Sequence, residues 1–360
     1  EIIPHVEEWE EDGIVPRWAW KKMGENGYLC ISVPPEYGGL GADFLYSVIV
    51  VDELGRANFQ GLTARIHSDI CTPYIVEYAT EEQKKKYLPQ CIAGDMILAI
   101  AITEPSAGSD VAGIKTTAVE DGSSFILNGS KTFISNGINC DLVIVVAKDP
   151  KQTNPHKAID LFLVEADTPG FERGKKLKKI GWHSQDTAEL FFSDCRIPLE
   201  NRLGKKGTGF KTMMMNLQQE RLVAIIGAQA TAEFALKETI RYCKERHMFG
   251  KPLSGFQNTQ FALAEMATEV KIGRTFLDKM IVEHWEKHTV VADVSMAKYW
   301  ITEMTWRVVD RCLQLFGGYG YCEEYPIARA WRDLRINRIF AGSNETMKQI
   351  IAKEIIKNEI

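Results

Sequence analysis

No stretch of this 360-residue chain approaches the ~20 consecutive apolar residues that a membrane-spanning helix needs. A basic excess is also missing: 43 Lys and Arg stand against 48 Asp and Glu, a formal charge of −5, which argues against a nucleic-acid binder. The eight cysteines contain no CxxC pair, so neither a zinc ribbon nor a thioredoxin-like motif is suggested. Scattered thiols fit a reducing compartment, with most acting as small core residues. There is no GxGxxG, which sets aside a Rossmann dinucleotide domain. Gly204–Gly209, GKKGTG, lacks the spacing and the terminal Gly-Lys-Ser/Thr of a phosphate loop, and reads as a connector into the next helix. His284 and His288 would share a helix face, but no Glu follows His284 directly and no third ligand is evident. No metal is expected. Lys84–Lys86 and Lys175–Lys179 read as solvated faces. Internal repeats and low-complexity segments are absent. No signal peptide is visible, yet the chain starts at Glu1, without Met, inside what reads as a helix, so an upstream piece is expected.

What is present is a globular composition, 45% apolar and 25% charged, with length enough for two or three domains. Three zones appear. Residues 1–98 read as helices punctuated by turns, with Pro34-Pro35 and Gly38-Gly39-Leu40-Gly41 as breaks. Within that zone, Thr80-Glu81-Glu82-Gln83 reads as an N-cap followed by an acidic first turn. Over residues 99–205 the period shifts to strands. Asn128-Gly129 between apolar arms predicts a hairpin inside Phe125–Phe133. Leu142–Ala147, Ile159–Glu165 and Ala188–Phe192 are further strands rich in β-branched or aromatic residues. Over residues 206–360 apolar or small residues recur at helical spacing along 209–246, 257–287 and 293–316.

Ala101–Asp110, AITEPSAGSD, carries the sharpest local signal. Pro105, Ala107 and Gly108 let backbone approach a ligand, and Thr103 and Ser109 offer hydroxyls beside it. Alone it reads as a polar turn. It is followed, in order, by Phe133-Ile134-Ser135-Asn136-Gly137, then Gln257, then Gln314-Leu315-Phe316-Gly317-Gly318-Tyr319-Gly320, then Ala341-Gly342-Ser343-Asn344-Glu345. This ordered set resembles the acyl-CoA dehydrogenase family from Glu1 to about Ile355. The resemblance implies an α+β multidomain fold: an N-terminal helical domain, a middle antiparallel β-domain and a C-terminal four-helix-bundle domain. It also implies bound FAD on a scaffold other than Rossmann. By the same resemblance, backbone around Ile102 and Thr103 meets the flavin edge, with Gly108 and Ser109 close by. Ser135 bonds near N5, and Phe133 flanks the ring where many relatives have Trp. Arg246 and Phe249 would contact FAD from a neighbouring subunit, Arg246 matching a pyrophosphate with its planar fork. Gln257, Gln314, Leu315, Gly317 and Gly318 would complete the dinucleotide site, with Ser343 and Glu345 at its remaining edge. Shared flavin sites imply a homo-oligomer, a tetramer as in relatives.

One carboxylate stands out from the residues themselves. Met213, Leu217, Glu220, Ala224, Gly227 and Thr231, at steps of three and four, place Glu220 inside an apolar or small stripe. A carboxylate there is either held in an ion pair, with Arg246 or another distant Arg, or functional. Most members of the resembled family carry the catalytic Glu immediately before Gly-Thr late in the chain, where this sequence has Ala341-Gly342-Ser343. The long-chain and isovaleryl subgroups place it in a Glu-Arg pair on the earlier helix, as Glu220-Arg221 does. Gln185–Phe192 and Met296–Trp300 also resemble the long-chain subgroup.

The reaction so implied is α,β-dehydrogenation of an acyl-CoA thioester to the trans-2-enoyl-CoA. Glu220 takes the α-proton and the β-hydrogen leaves as hydride to flavin N5. The backbone N–H of Ala341 and a ribityl hydroxyl meet the thioester oxygen, and electrons pass to an electron-transfer flavoprotein. Ser109, Arg221 and Gly342 are the substrate-side candidates. Ala224, Gly227 and Ala228 leave room for a long or branched acyl group or simply pack helices closely. An acyl-CoA oxidase and a catalytically silent acyl-CoA-binding or assembly protein are the alternatives. The expected compartment is the cytoplasm in a bacterium and the mitochondrial matrix in a eukaryote.

Overall fold

A computed structural model describes residues 2–358 of the chain. The chain forms two compact units: Glu1–Ser47, Gly61–Lys179 and His183–Leu217 make the first, and Val48–Gln60, Ile180–Trp182 and Gln218–Ile360 the second. Helices α1 (Val6–Asp12), α2 (Arg17–Glu25), α3 (Phe44–Arg56), α4 (Thr72–Tyr78) and α5 (Glu81–Ala93) come first, with a π-helical turn over Ile66–Cys71 leading into α4. The start of α5 follows the sequence signal. Thr80 accepts from Gln83 N–H, and the Gln83 side chain returns to the Thr80 N–H, a complete capping box.

The first unit is built around an eight-stranded sheet. Its strands are β1 (Leu98–Ala101), β2 (Thr117–Asp121), β3 (Ser124–Ile134), β4 (Leu142–Lys148), β5 (Ile159–Glu165), β6 (Phe171–Lys176), β7 (Ala188–Pro198) and β8 (Arg202–Leu203), with the short helix α6 (Pro155–Ala158) before β5. The order is β6-β7-β3-β2-β4-β5-β8, with β1 beside β4. The expected antiparallel domain is in fact mixed, because β1 pairs parallel with β4 from Leu98↔Leu142 to Ala101↔Val145, and β2 touches β4 in parallel at Thr117↔Lys148. About forty residues separate β1 from β4 in the chain, enough for the return path that parallel pairing requires and a tight hairpin cannot supply. Leu142–Ala147 of β4 is buried throughout, as a strand covered on both faces should be.

The expected hairpin at Asn128-Gly129 does not form. β3 runs unbroken from Ser124 to Ile134, and the turn lies at Gly122-Ser123, between Asp121 and its partner Ser124. Asn128-Gly129 instead marks a bulge against β7, with a register shift between Leu127 and Gly129. Gly129 has φ +150, and a Cβ there would lie 2.5 Å from the Thr116 hydroxyl. Asn128 is tied to Asp194 of β7 by two bonds, Asn128 Nδ2 to Asp194 Oδ1 at 3.1 Å and Asp194 N to Asn128 Oδ1 at 2.8 Å. The Asp121-Gly122 pair was the turn signal to follow.

The rest is helical: α7 (Gly209–Glu245), a two-stranded ribbon of β9 (His247–Met248) and β10 (Lys251–Pro252), α8 (Gln257–Trp285), α9 (Val291–Phe316), α10 (Pro326–Leu334) and α11 (Asn344–Asn358). α7 begins in the first unit, and from Gln218 it belongs to the second, a helix-rich bundle. The amphipathic stripe expected on α7 is too narrow: Arg221 to Ala230 are all buried, so this part is enclosed on every side. In the second unit an ion network ties α3, α7 and α8. Arg274 reaches Glu233 and Asp52, each at 2.7 Å, and Arg56 reaches the same two carboxylates at 2.7 and 2.5 Å.

Seven cysteines are buried and Cys322 is exposed. Gly207 N–H donates to Asp160 and the GKKGTG segment leads into α7, as a connector should. The lysine runs are only partly solvated faces. Lys86 pairs with Glu165, and Lys176 and Lys179 donate to the carbonyls of Gly13 and Gln185. Among the described residues no helix is long and apolar enough to cross a membrane.

Candidate active site

The predicted site residues divide between the two units. Ile102, Thr103, Gly108, Ser109, Phe133 and Ser135 belong to the first, and Glu220, Arg221, Arg246, Phe249, Gln257, Gln314, Leu315, Gly317, Gly318 and Ala341 to Glu345 to the second.

In the first unit the Ile102–Ser109 loop leaves β1 and turns at Glu104–Ala107. Glu104 N donates to Ala107 O at 2.9 Å, and Ala107 N to Glu104 O at 3.1 Å. The Glu104 carboxylate is buried and accepts from Lys115 N, Thr116 N and Lys131 Nζ at 2.6, 3.0 and 2.8 Å. Burial opposes its ionisation, but the bonds from Lys131, Thr116 and Lys115 hold it below its ordinary range. Lys131 also donates to the Ile102 carbonyl at 3.1 Å, so one buried ammonium ties the first residue of the loop to the Glu104 carboxylate. The sequence reading missed this pair. Phe125, Leu127 and Lys131 are all buried at odd positions of β3, and that parity was the available signal.

Beyond β3, Phe133 has φ +59 and is 66% exposed, while Asn136 has φ +61 and is fully buried. Asn136 accepts from Thr63 Oγ1 at 2.9 Å and from Gln185 Nε2 at 3.0 Å, and donates to Leu98 O at 2.9 Å. Ser135 therefore sits between an exposed aromatic ring and a rigid polar knot. Thr63, Asn136 and Gln185 were not singled out as site residues; they come together only through the fold.

In the second unit Glu220 is buried on α7. The two residues before it grip His284 of α8. Gln218 Nε2 lies 3.1 Å from His284 Nδ1, and Gln219 Oε1 lies 3.0 Å from His284 Nε2. Both bonds are made by one neutral tautomer, with Nδ1 accepting and Nε2–H donating. Burial pulls this imidazole down to about 4, which keeps it neutral. Gln218 also accepts from Val290 N at 2.9 Å and donates to His288 O at 2.9 Å, bolting this turn of α7 to the α8–α9 loop. His284 is thus a structural clamp, and His288 faces Glu283 at 2.8 Å. Among the described residues no cluster suits a metal.

Arg221 is buried, and burial lowers its pKa. Its Nη1 donates to Ser295 Oγ of α9 at 3.3 Å, and its Nε has no partner among the described residues. Ala341 and Gly342 both adopt left-handed backbone, φ +52 and +85, immediately before α11. Ser343 caps that helix, its Oγ accepting from Thr346 N at 3.3 Å.

The remaining candidates lie at the surface of the second unit. Arg246 stands over the Tyr319 ring at 5.5 Å from its centroid, Phe249 is 90% exposed, and Gln257, Gln314, Gly317 and Gly318 are exposed. A Cβ at Gly317 or Gly318 would meet nothing within 4 Å. A flavin dinucleotide needs hydroxyl and amide donors, a guanidinium for its pyrophosphate and aromatic surface for its ring. Thr103, Ser109, Ser135, Gln257 and Gln314 carry such side-chain donors, and none of these donates to another described residue. Within each unit taken by itself, the donors are of the chemical kind that this cofactor takes.

Comparison with known proteins agrees along the whole chain. Residues 1–95 match the acyl-CoA dehydrogenase N-terminal domain, 99–195 the middle domain and 207–356 the C-terminal domain. The mitochondrial long-chain specific acyl-CoA dehydrogenase of Sus scrofa is 46% identical over 100% of this chain and 84% of its own. The crystal structure of an acyl-CoA dehydrogenase from Geobacillus kaustophilus is 55% identical with a TM-score of 0.96, covering 98% of this chain and 93% of that one. Butyryl-CoA dehydrogenase from Megasphaera elsdenii is 35% identical with a TM-score of 0.93, again over 98% and 93%. The chain belongs to the acyl-CoA dehydrogenase family. It is an FAD-dependent oxidoreductase that dehydrogenates an acyl-CoA thioester.

Proposed function

We propose that the substrate is a medium- or long-chain or branched acyl-CoA and that Glu220 is the base that removes its α-proton. The observation that carries this reading is a buried carboxylate at 220 combined with alanine at 341. A carboxylate is expensive to bury, and an enzyme of this class needs one beside the thioester. The acidity of the α-proton depends on charge moving to the thioester oxygen, and the backbone N–H of Ala341 is our candidate donor to it. A preset donor of this kind is commonly a larger effect than the base itself. Small side chains at Ala341 and Gly342 let the thioester come close to backbone, and Ser109 and Arg221 complete the substrate side.

For the cofactor we assign Ile102, Thr103, Gly108, Ser109, Phe133 and Ser135 to the flavin, and Arg246, Phe249, Gln257, Gln314, Leu315, Gly317, Gly318, Ser343 and Glu345 to the remaining dinucleotide. When bound, the flavin supplies the acceptor for the β-hydrogen. An electron-transfer flavoprotein is the electron acceptor in this reading, the assembly is a homotetramer, and the domains divide at 1–98, 99–205 and 206–360. Relatives named as mitochondrial support the matrix as the compartment if the source is eukaryotic; for a bacterial source we assign the cytoplasm.

The test is anaerobic titration of the purified yellow protein with acyl-CoAs of graded length and branching. Flavin absorbance should bleach, most readily with medium, long or branched chains. A flavin left oxidised by every member of the panel would sink the reading. Oxygen consumption without reduction of electron-transfer flavoprotein would reassign the protein as an oxidase.

A further inference from the structure

Lys298 sits on α9 with none of its surface exposed. Burying an ammonium is costly, and methionine or leucine would fill this position among Val294, Ala297 and Ile301 without that cost. What an ammonium adds is donors. Lys298 Nζ donates to the Gly342 carbonyl at 2.7 Å and to Asn344 Oδ1 at 3.0 Å. Both acceptors belong to the turn that carries Ala341. Asn344 is held in turn by Glu303, its Nδ2 donating to Oε1 at 2.9 Å.

We propose that Lys298 is a positioning residue for the dehydrogenation: by anchoring Gly342 and Asn344 it holds the Ala341–Gly342 turn so that the Ala341 N–H is preset to donate to the thioester oxygen. The inference rests on the reading of Ala341 given above and adds the group that fixes it. Two consecutive left-handed residues, one of them alanine, need an outside hold. Left-handed backbone is unfavourable for a residue with a Cβ, and an unanchored turn would relax to a different direction of that N–H. The same helix serves the other reacting segment. Ser295, one turn before Lys298, receives the guanidinium of Arg221, the neighbour of Glu220. One face of α9 thus sets the segments bearing the base and the oxygen donor.

Lys298 also keeps charged company. Burial pulls it down to about 7, Arg221 pushes the same way, and Glu345 and Glu303 oppose.

The test is Lys298→Met in the FAD-loaded enzyme, read by the carbonyl stretch of bound trans-2-enoyl-CoA. The parent should shift this band to lower frequency on binding. The variant should bind the ligand with affinity within about threefold of the parent yet lose most of the shift, and flavin reduction by acyl-CoA should slow about 10- to 100-fold. A full parental shift in folded Lys298→Met overturns the proposal. Should that variant not fold, Asn344→Ala removes one of the two anchors and should lose part of the shift; a full shift there likewise overturns it. A parent protein that binds the ligand with no shift at all refutes the underlying reading of Ala341, a result distinct from either.

Discussion

At the scale of single residues, Glu220 is the test of the chemistry. Glu220→Gln keeps volume and removes the basic carboxylate, so FAD and acyl-CoA should still bind while flavin reduction, followed by anaerobic stopped flow, falls by at least ~10²-fold. Adding a carboxylate at the other site, as Glu220→Gly with Ala341→Glu, should restore part of the rate. Restoration stays partial because small misplacement of a base is costly. A parental rate in Glu220→Gln would move the search to Glu345. A second residue predicts how stability follows pH. His67 is fully buried, its Nδ1 accepting from Leu98 N at 3.1 Å and its Nε2 facing the Cys91 carbonyl at 3.0 Å. Burial lowers it from 6.5 to about 4. Between those values the unfolded imidazole takes up a proton and the folded one does not. The contribution is therefore present above pH 6.5 and is lost as pH falls toward 4, on the order of 3 kcal/mol. His284, also lowered to about 4, acts with the same sign. Urea midpoints measured from pH 7 to 4 should fall accordingly, and His67→Gln should flatten the fall. An equal slope in that variant would remove His67 from the account.

At the scale of elements, local signals held where a local interaction decides and failed where a neighbour does. The capping box at Thr80 involves residues three apart, so it was legible in the sequence. Asn128-Gly129 was misread because Thr116 and Asp194, distant in sequence, occupy the space on either side of the strand. Gly24 offers a prediction of the same kind. It lies inside α2, where alanine normally stabilises a helix by up to about 1 kcal/mol. Here a Cβ would stand 2.4 Å from the Ala93 carbonyl at the end of α5. Gly24→Ala should therefore destabilise, by roughly 1–3 kcal/mol, seen as a lower urea midpoint. A raised midpoint would show that α2 and α5 can separate at no cost.

At the scale of the whole molecule, Arg246 and Phe249 matter because they are exposed in the single chain. If they complete a neighbour's flavin site, Arg246→Ala should release FAD and loosen the assembly together, at a cost on the order of 1.5–3 kcal/mol for the lost charge-assisted bond. Full flavin occupancy at unchanged mass by light scattering would count against a shared site. The sequence by itself determined the family and the helical, strand-rich, helical order, because ordered motifs and hydrophobic period are carried along the chain; it also supplied Glu220 as the candidate base, through residue identity and spacing. Only tertiary structure decided that β1 and β2 run parallel to β4, that Thr63, Asn136 and Gln185 form one knot behind Ser135, and that Lys298 grips the turn at Gly342. Each of these joins residues some 30 to 120 positions apart, where neither period nor motif constrains the partner. A buried polar group finds its hydrogen bonds from whatever the completed fold brings within about 3 Å.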